Sequence, residues 1–310
     1  MNKQKLKRKL PRIFQYFAII RSYWYEIRFN IMTVLFKEKG FEKLLKKDYK
    51  KFTDNNLSFP PKTYTEKIQW SKIYDSTSLK GKLSDKYAVR NWVKEKIGEE
   101  YLIPLIGVWE SFDDIDFESL PSSFVLKTNH GSGTNLLVKD KNQLNLNVTK
   151  RLFDFWMKQN FAYFGCGYEM HYKYIKPKII AEEYLKDLNE ELSDYKFLCF
   201  NGQPYYCWVD VNRNSNHKRN VYDLEWNLQP WNQFNYGNTE TDIPCPENFG
   251  NMIKLAQCLS EGFEHVRVDL YNVKGRIYFG EMTFTNGKGY EPIIPKEYDL
   301  MIGNLWTIQE

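Results

Sequence analysis

Two short passages, about 140 residues apart, carry side chains suited to phosphate and metal chemistry. In the first, FVLKTNHGSGTN, an apolar run ends at Lys127 and a Gly-Ser-Gly turn follows. An ammonium group and several backbone N–H groups can therefore meet one polyanion. The second, VRVDLYNVKGRIYFGEMTF, alternates as a hairpin with Asp269 and Glu281 on its two strands, where two carboxylates can share Mg²⁺. Together they predict a nucleotide site with its metal.

Each passage also has a simpler interpretation. Lys127 alone could be a solvated lysine at a strand end, and the two carboxylates could be a solvent-facing cross-strand pair. Like charges that face each other destabilise a sheet unless a cation lies between them. This favours the metal site for Asp269 and Glu281.

The composition is that of a globular protein with room for such a site. The chain has 310 residues, 42% of them hydrophobic, enough for one two-lobed unit or two to three subdomains. Its five cysteines form no C-x-x-C pair and its four histidines lack metal-ligand spacing, so we expect neither a disulfide framework nor a zinc site. The sequence shows no secretory signal and no long apolar span, and we expect a cytoplasmic protein.

The N-terminal segment is basic and aromatic. Residues 1–51 contain 15 Lys plus Arg and 4 Asp plus Glu, a net charge of +11, whereas the whole chain carries only +5. We predict a basic amphipathic helical extension over residues 1–53. It could pack on the main body, attach peripherally to anionic lipid on the inner face of the membrane, or bind nucleic acid. Nucleic acid is not expected, because no nucleic-acid module appears elsewhere.

The rest of the chain, residues 54–310, predicts an α+β fold. Helices are expected at 65–74, 84–97, 148–159 and 248–263. Strands are expected at 123–127, 135–139, 178–185, 194–200 and 205–211, with Asn201-Gly202 as a hairpin turn between the last two. No internal repeat or low-complexity linker is present.

Four passages in order carry a family resemblance: DKYAVRNWVKEKIGEEYLIPLIGVWESFDDIDFESLPSSFVLKTNHGSGTN, KIIAEEYL, DYKFLCFNG and VRVDLYNVKGRIYFGEMTFTNGKG. They resemble the ATP-grasp superfamily, most closely the TupA-like enzymes of capsule and cell-wall polysaccharide genes, over about residues 60–301. The resemblance implies two lobes that grip ATP. A lysine and glycine-loop subdomain would span about 120–185, and a metal-carboxylate subdomain about 186–310.

The resemblance assigns the nucleotide contacts. Lys86 and Lys127 match the two lysines that contact the phosphates from different subdomains. The flexible loop over the phosphates matches His130, Gly131, Ser132, Gly133 and Thr134. The hinge that reads adenine matches Glu182, Glu183, Tyr184 and Leu185, with Glu182 as the acceptor for the amino group.

It also assigns the catalytic and metal-binding side chains. Arg267 would stabilise the transferred phosphate, while Asp269 and Glu281 would hold Mg²⁺. The family places Asn two residues after the second carboxylate, but this sequence has Thr283, so the third metal contact could be Thr283 or Asn286. Lys196 and Lys288 are the predicted contacts for the acyl phosphate or the substrate.

The activity implied by the family is ATP-dependent carboxylate–amine ligation through an acyl phosphate, with ATP and Mg²⁺ as cofactors. Its co-substrates would be an amine and a carboxylate-bearing sugar, glycan or amino acid. Two alternatives stay open. Asp114-Ile115-Asp116 could hold the metal of a glycosyltransferase, although capping explains it equally well, and a kinase-like phosphotransferase would have its glycine loop before the lysine. The cluster Arg213, His217, Lys218 and Arg219 could bind the acceptor or be a solvated loop.

Overall fold

Two antiparallel sheets form the framework of the protein. The computed structural model describes residues 11–185, 192–212, 216–234 and 236–308, with side chains from residue 17 onward. The first sheet has the strand order β1-β4-β2-β3 and the second β10-β9-β5-β6-β7, and β8 and β11 form a small pair. The strands are β1 (Leu105–Trp109), β2 (Phe124–Thr128), β3 (Asn135–Val138), β4 (Ile179–Glu183), β5 (Asp194–Phe200), β6 (Gln203–Val211), β7 (Lys218–Tyr222), β8 (Asn232–Gln233), β9 (His265–Val273), β10 (Arg276–Thr283) and β11 (Ile293–Ile294).

Seven α-helices surround these sheets within the described residues, which confirms the α+β class. They are α1 (Pro11–Thr53), α2 (Tyr64–Tyr74), α3 (Ser78–Ser84), α4 (Val89–Lys96), α5 (Leu146–Met157), α6 (Phe249–Ser260) and α7 (Glu297–Leu305). Short 3₁₀ turns account for part of the segment between α5 and β4. None of the described helices has a stretch long and apolar enough to cross a membrane.

The helix predicted over residues 84–97 is present but begins five residues later, at Val89, so its predicted start is wrong. α3 ends at Ser84 and α4 begins at Val89, because Asp85 is extended (φ −77°, ψ 114°). Its Oδ1 accepts hydrogen bonds from the backbone N–H groups of Tyr87 and Ala88, at 2.8 and 3.2 Å. An aspartate that caps a new turn in this way interrupts the preceding helix. The break leaves Lys86 in a connection rather than on a helix face.

Helix α1 consists of two segments that meet at Lys37, where the backbone is not helical (φ 49°, ψ −135°). The second segment is part of the protein core, because Phe41, Leu44, Leu45 and Tyr49 are all buried. They form one apolar cluster with residues of the segment between α5 and β4. Residues 38–53 are therefore a packing element.

The second sheet has two different faces because its strands alternate. On β5 and β9 the side chains of Phe197, Cys199, Val266 and Val268 pack against helix α6 in one cluster. The opposite face is apolar at one end, where Leu198 and its neighbours pack with residues of helices α2 and α7. At the other end this face is charged. The alternation thus supplies a rigid support for polar side chains next to a core.

The predicted turn between β5 and β6 is confirmed. Asn201 and Gly202 connect the two strands with φ values of 50° and 75°. Two consecutive residues with positive φ match the right-handed twist of a hairpin, and Asn-Gly is the pair that adopts this conformation most readily.

Candidate functional site

Lys127 lies near the end of β2, directly opposite Asn135 of β3. The six residues between Thr128 and Asn135 form the glycine loop. Its base is closed by Thr128, whose backbone N–H donates to the carbonyl of Thr134 (3.0 Å) and whose hydroxyl donates to the Thr134 hydroxyl (2.7 Å). Gly133 has a positive φ of 68°. The sequence therefore closes a short glycine-containing loop next to the lysine.

Asn129 is a buried residue of this loop that sequence reasoning missed. Its backbone N–H donates to the Lys178 carbonyl (3.0 Å), and its Oδ1 accepts from the Lys178 backbone N–H (2.7 Å). Its Nδ2 donates to Asp85 Oδ2 at 2.9 Å. Asn129 thus fixes the loop to the entry of β4 and to the break before α4. An asparagine can satisfy several polar groups at once, but the partners of Asn129 lie more than 40 residues away in the sequence, so no local pattern marks this role.

Lys86 reaches the loop from the break before α4. Its backbone N–H donates to the Asn129 carbonyl (3.0 Å), and its Nζ donates to the Gly131 carbonyl (2.6 Å). Burial lowers the pKa of Lys86, and Glu281 partly offsets this effect. The structure therefore places two lysines, from separate parts of the chain, around one loop.

His130 contributes packing rather than positive charge. Its ring lies edge-on to Phe161 with centroids 5.1 Å apart. Burial lowers the His130 pKa to about 4, and Lys86 acts in the same direction. The imidazole is therefore neutral at pH 7.

Glu182 of β4 is held by two cations. Its Oε2 lies 2.5 Å from Lys127 Nζ, and its Oε1 accepts from Arg90 Nη1 at 3.2 Å. Glu182, which is predicted to accept a hydrogen bond from the adenine amino group, is thus paired with Lys127, which is predicted to contact the phosphates. Of the other predicted hinge residues, Glu183 is exposed, whereas Tyr184 and Leu185 are half-buried.

Lys196 lies at the centre of the charged face of the second sheet. Its Nζ donates to Asp194 Oδ2 and Asp269 Oδ2, both at 2.9 Å, and lies 3.7 Å from Asp210 Oδ2. Burial alone would lower the Lys196 pKa, but Asp194 and Asp269 more than offset it, and the pKa is raised. Lys196 is a fixed cation.

Arg267 joins the two predicted metal carboxylates. It makes a bidentate pair with Asp269, with Nε to Oδ1 and Nη2 to Oδ2 both 2.7 Å. Nη2 also donates to Glu281 Oε1 (3.0 Å) and to the Thr283 hydroxyl (3.2 Å), while Nη1 donates to Asn286 Oδ1. Burial alone would lower the Arg267 pKa, but Asp269 raises it well above the ordinary value.

The donor set around Glu281 fits a hard cation. Burial alone would raise its pKa, but Lys86 and Arg267 hold the Glu281 pKa at about 2, so the carboxylate is charged. Its Oε2 receives no hydrogen bond from the residues that the structure describes. Across the described ranges no group of three or more His, Cys, Asp or Glu side chains could hold a metal ion. A metal here would therefore need oxygen ligands from a bound molecule as well.

A hydrogen-bond network extends the site toward β7. Gln233 Oε1 accepts from Arg219 Nη1 (3.0 Å) and from Asn286 Nδ2 (2.8 Å), and Arg219 makes a bidentate pair with Asp210. Asn286 is thus engaged with Arg267 and Gln233. Sequence reasoning missed Gln233, which no motif marks. Of the predicted acceptor cluster, Arg213 lies outside the described residues.

Lys288 lies on a loop with an unusual backbone. Residues 287–289 have φ values of 54°, 57° and 61°, and buried residues of α2 support them. Gln69 Nε2 donates to the carbonyls of Lys288 and Gly289, both at 2.9 Å, and Lys72 Nζ donates to the Lys288 carbonyl at 2.8 Å. Lys288 Nζ donates to the Phe164 carbonyl (2.9 Å). The sequence could not show this support, because α2 precedes the loop by more than 200 residues.

Two adjoining cavities contain most of the predicted residues. A cavity of about 140 Å³ is lined by Lys86, Lys127 and loop residues 131–135 on one side, and by Asp194, Lys196, Asp269 and Glu281 on the other. A second cavity of about 550 Å³ shares several of these residues. It continues to a wall of charged and aromatic side chains: Phe161, Phe164, Glu169, Tyr172, His217, Arg219, Tyr236, Arg267, Lys288, Tyr290 and Glu291. The passage around Lys127 and the hairpin with Asp269 and Glu281 therefore line the same cavity.

The comparison with protein families agrees with this geometry. The sequence model of the family described as TupA-like ATPgrasp matches residues 66–307. The chain belongs to the TupA-like ATP-grasp family. This confirms the resemblance seen in the four passages. A search of curated proteins gives no match to this TupA-like chain.

Solved structures similar to this TupA-like chain include three enzymes, all with low sequence identity. D-alanine–D-alanine ligase from Bacillus anthracis complexed with ATP is 15% identical, with 65% of this chain and 53% of that chain covered and a TM-score of 0.37. An N5-carboxyaminoimidazole ribonucleotide synthetase in complex with ADP is 12% identical, with 78% and 57% covered and a TM-score of 0.42. The ligase PsnB with a precursor variant, Mg and ADP is 9% identical, with 78% and 66% covered and a TM-score of 0.40. The chain spans about half the length of the first of these enzymes.

Proposed function

We propose that the protein is an ATP-dependent carboxylate–amine ligase that uses ATP and Mg²⁺. One observation carries the proposal. The 140 Å³ cavity brings Lys86, Lys127 and the glycine loop opposite Asp269 and Glu281. Cations and backbone N–H groups on one wall, with two carboxylates on the other, suit a polyphosphate bound together with a divalent metal.

Each wall would contribute differently to phosphoryl transfer. Lys86 and Lys127 would neutralise phosphate charge from separate directions, and the loop N–H groups would donate to phosphate oxygens. Asp269 and Glu281 would hold Mg²⁺, which supplies charge neutralisation at the phosphate oxygens. Arg267 already lies against both carboxylates and would stabilise charge on the transferred group. Thr283 and Asn286 are the proposed candidates for the third metal contact, and Arg267 donates a hydrogen bond to each of them.

The proposed reaction has two steps, and their atoms balance. A carboxylate oxygen of the acceptor bonds to the γ-phosphorus and ADP leaves, which gives an acyl phosphate. The amine nitrogen then bonds to the acyl carbon and inorganic phosphate leaves, while the nitrogen gives up a proton. Lys196 and Lys288 are the proposed contacts of the acyl phosphate and the substrate, because both line the 550 Å³ cavity.

We infer that the acceptor occupies the 550 Å³ cavity, beside the phosphates. Lys86, Gly131, Ser132, Lys196 and Glu281 line both cavities, so a molecule in the larger one can reach the transferred phosphate. Aromatic rings and cations on the far wall suit a carboxylate-bearing sugar. A uronic acid or amino-acid group of a surface polysaccharide is the proposed substrate, handled in the cytoplasm.

A product assay tests the proposal. Purified protein with ATP and Mg²⁺ is given a panel of uronic acids and amino acids, each with and without an amine, and ADP is measured. ADP that depends on both partners is expected of a ligase. Release of UDP from nucleotide sugars would instead favour the glycosyltransferase. The capping interpretation of the Asp-x-Asp pattern is supported instead, because Asp114 and Asp116 are exposed and accept hydrogen bonds from the backbone N–H groups of Ser111 and Glu118.

A further inference from the structure

The first segment of helix α1 exposes a continuous apolar surface. Ile20, Trp24, Ile27, Ile31 and Val34 follow one another at steps of three and four residues, and each side chain is about half exposed or more. Phe17, Tyr23 and Leu35 extend the same surface. We call these eight residues the outer stripe. It is about 27 Å long at the rise of an α-helix.

The outer stripe is not the face that holds the helix to the protein. Tyr25, Phe29 and Met32 pack inward. The Phe29 ring lies 5.5 Å from the Tyr163 ring and 5.8 Å from the Tyr168 ring, measured between centroids. On a helical projection these inward residues lie opposite the outer stripe. The segment therefore has two apolar faces, one of them unpartnered among the described residues.

We propose that the outer stripe docks on an anionic phospholipid bilayer. An exposed apolar helix face packs against either lipid or another protein surface. The net charge of the N-terminal segment distinguishes between these two. Residues 1–51 carry a net charge of +11. Two copies that met through their outer stripes would bring these like charges together, whereas anionic headgroups attract them. Aromatic residues such as Trp24 are favoured at the level of the headgroups. The helix would lie in the interface plane, with the stripe below the headgroups.

Docking would place the membrane on the far side of helix α1 from the larger cavity. Helix α1 packs on Tyr163 and Tyr168, and the same segment supplies Phe164 and Glu169 to the wall of the 550 Å³ cavity. The docking inference itself does not depend on the proposed ligase activity, since it rests on the exposed stripe and the charge.

Vesicle cosedimentation of the full chain tests the inference. The stripe variant replaces Trp24, Ile27 and Ile31 by serine. The matched control replaces Leu146, Val148 and Tyr174 by serine, since these three side chains are exposed to a similar degree elsewhere on the protein. Circular dichroism and thermal unfolding establish that both variants fold. The vesicles contain phosphatidylcholine either alone or mixed with phosphatidylglycerol.

We expect wild type and the control variant to bind the mixed vesicles, and the binding to weaken as salt is added. The partition coefficient of the stripe variant should fall about tenfold or more, because three apolar side chains no longer enter the interface. Equal binding of stripe and control variants, or no binding of wild type to the mixed vesicles, would overturn the inference. So would a wild-type dimer in sedimentation velocity that the stripe variant converts to a monomer, because a second copy would then cover the stripe.

Discussion

Asp269 on β9 lies directly opposite Glu281 on β10, and Arg267 donates a hydrogen bond to each carboxylate. Two facing carboxylates repel each other, so the pair needs cations nearby. Arg267 and Lys196 supply them at Asp269, whereas Oε2 of Glu281 receives no hydrogen bond within the described part of the chain. Asp269 is therefore fixed by two cations, whereas Glu281 keeps one oxygen for the metal ion that the two carboxylates would share.

Replacing these carboxylates by amides should separate catalysis from stability. We expect Asp269→Asn and Glu281→Gln each to lower ATP-dependent turnover about 100-fold or more, because charge in the transition state loses a main stabiliser. Asp269→Asn should also cost about 3 kcal/mol of unfolding free energy, since it leaves buried Arg267 and Lys196 undercompensated. Glu281→Gln should cost about 1 kcal/mol or less, because the Glu281 side chain is 39% exposed. Steady-state kinetics and urea unfolding measure the two effects.

The matched control is Glu247→Gln, which removes a carboxylate from an exposed position on the surface. It should leave both turnover and stability unchanged. Near wild-type turnover in both site variants would show that these carboxylates do not hold the metal.

Lys72 should make the stability of the protein depend on pH. Burial lowers its pKa from 10.5 to about 7. Between these two pKa values the Lys72 side chain is protonated in the unfolded chain and deprotonated in the folded chain. The free energy of unfolding therefore rises with pH over this range. Above pH 7 the free energy of unfolding of wild type should increase relative to that of Lys72→Met by at most about 1.4 kcal/mol per pH unit. Urea unfolding of both proteins across this range measures the difference.

Lys254→Met is the control for this prediction, since Lys254 is exposed on α6. It also removes a lysine side chain, so it shows how much of any pH dependence belongs to Lys72 in particular. If the difference in unfolding free energy between wild type and Lys72→Met were the same at every pH in this interval, Lys72 would keep its proton in the folded state.

The sequence predicted the parts of the site that local patterns encode. The lysine and glycine loop, the Asn201-Gly202 turn and the carboxylate hairpin all lie within short passages, where periodicity and turn chemistry determine the structure. Most strand boundaries therefore came out within a few residues. The facing of Asp269 and Glu281 is not part of that simple pattern, because it depends on a register shift between Phe279 and Glu281, without which Asp269 would pair with Gly280.

The rest depends on contacts between distant segments. Asn129 is bonded to Asp85 and Lys178, and Gln233 bridges Arg219 and Asn286, so neither role is visible in a local pattern. The break at Asp85 was missed because the apolar spacing continues through it, while the capping bonds of one side chain interrupt the helix. Side-chain competition for backbone groups overrides periodicity at such positions.

Replacement by alanine should destabilise the protein to different extents at the two glycines of the glycine loop. A Cβ on Gly131 would lie 2.6 Å from Phe161 Cζ and 2.7 Å from Thr134 Oγ1, so we expect Gly131→Ala to destabilise by about 1 to 3 kcal/mol. A Cβ on Gly133 would meet no described atom within 4 Å, and only its φ of 68° should oppose alanine, by about 1 kcal/mol. Gly250→Ala on α6, also in open space, should not destabilise. Equal stability of all three in urea unfolding would mean that the loop is not held in this conformation.

We propose that the cleft between the two sheets binds ATP with Mg²⁺, and isothermal titration calorimetry tests this binding without knowledge of the acceptor. We predict one site for ATP that requires Mg²⁺, weakened about tenfold or more in Lys127→Met, since a charged hydrogen-bond donor is removed from the phosphate wall. UDP-glucose under the same conditions should give no binding heat. Binding of UDP-glucose without binding of ATP, or ATP binding that is unchanged by Lys127→Met and by removal of Mg²⁺, would contradict the account.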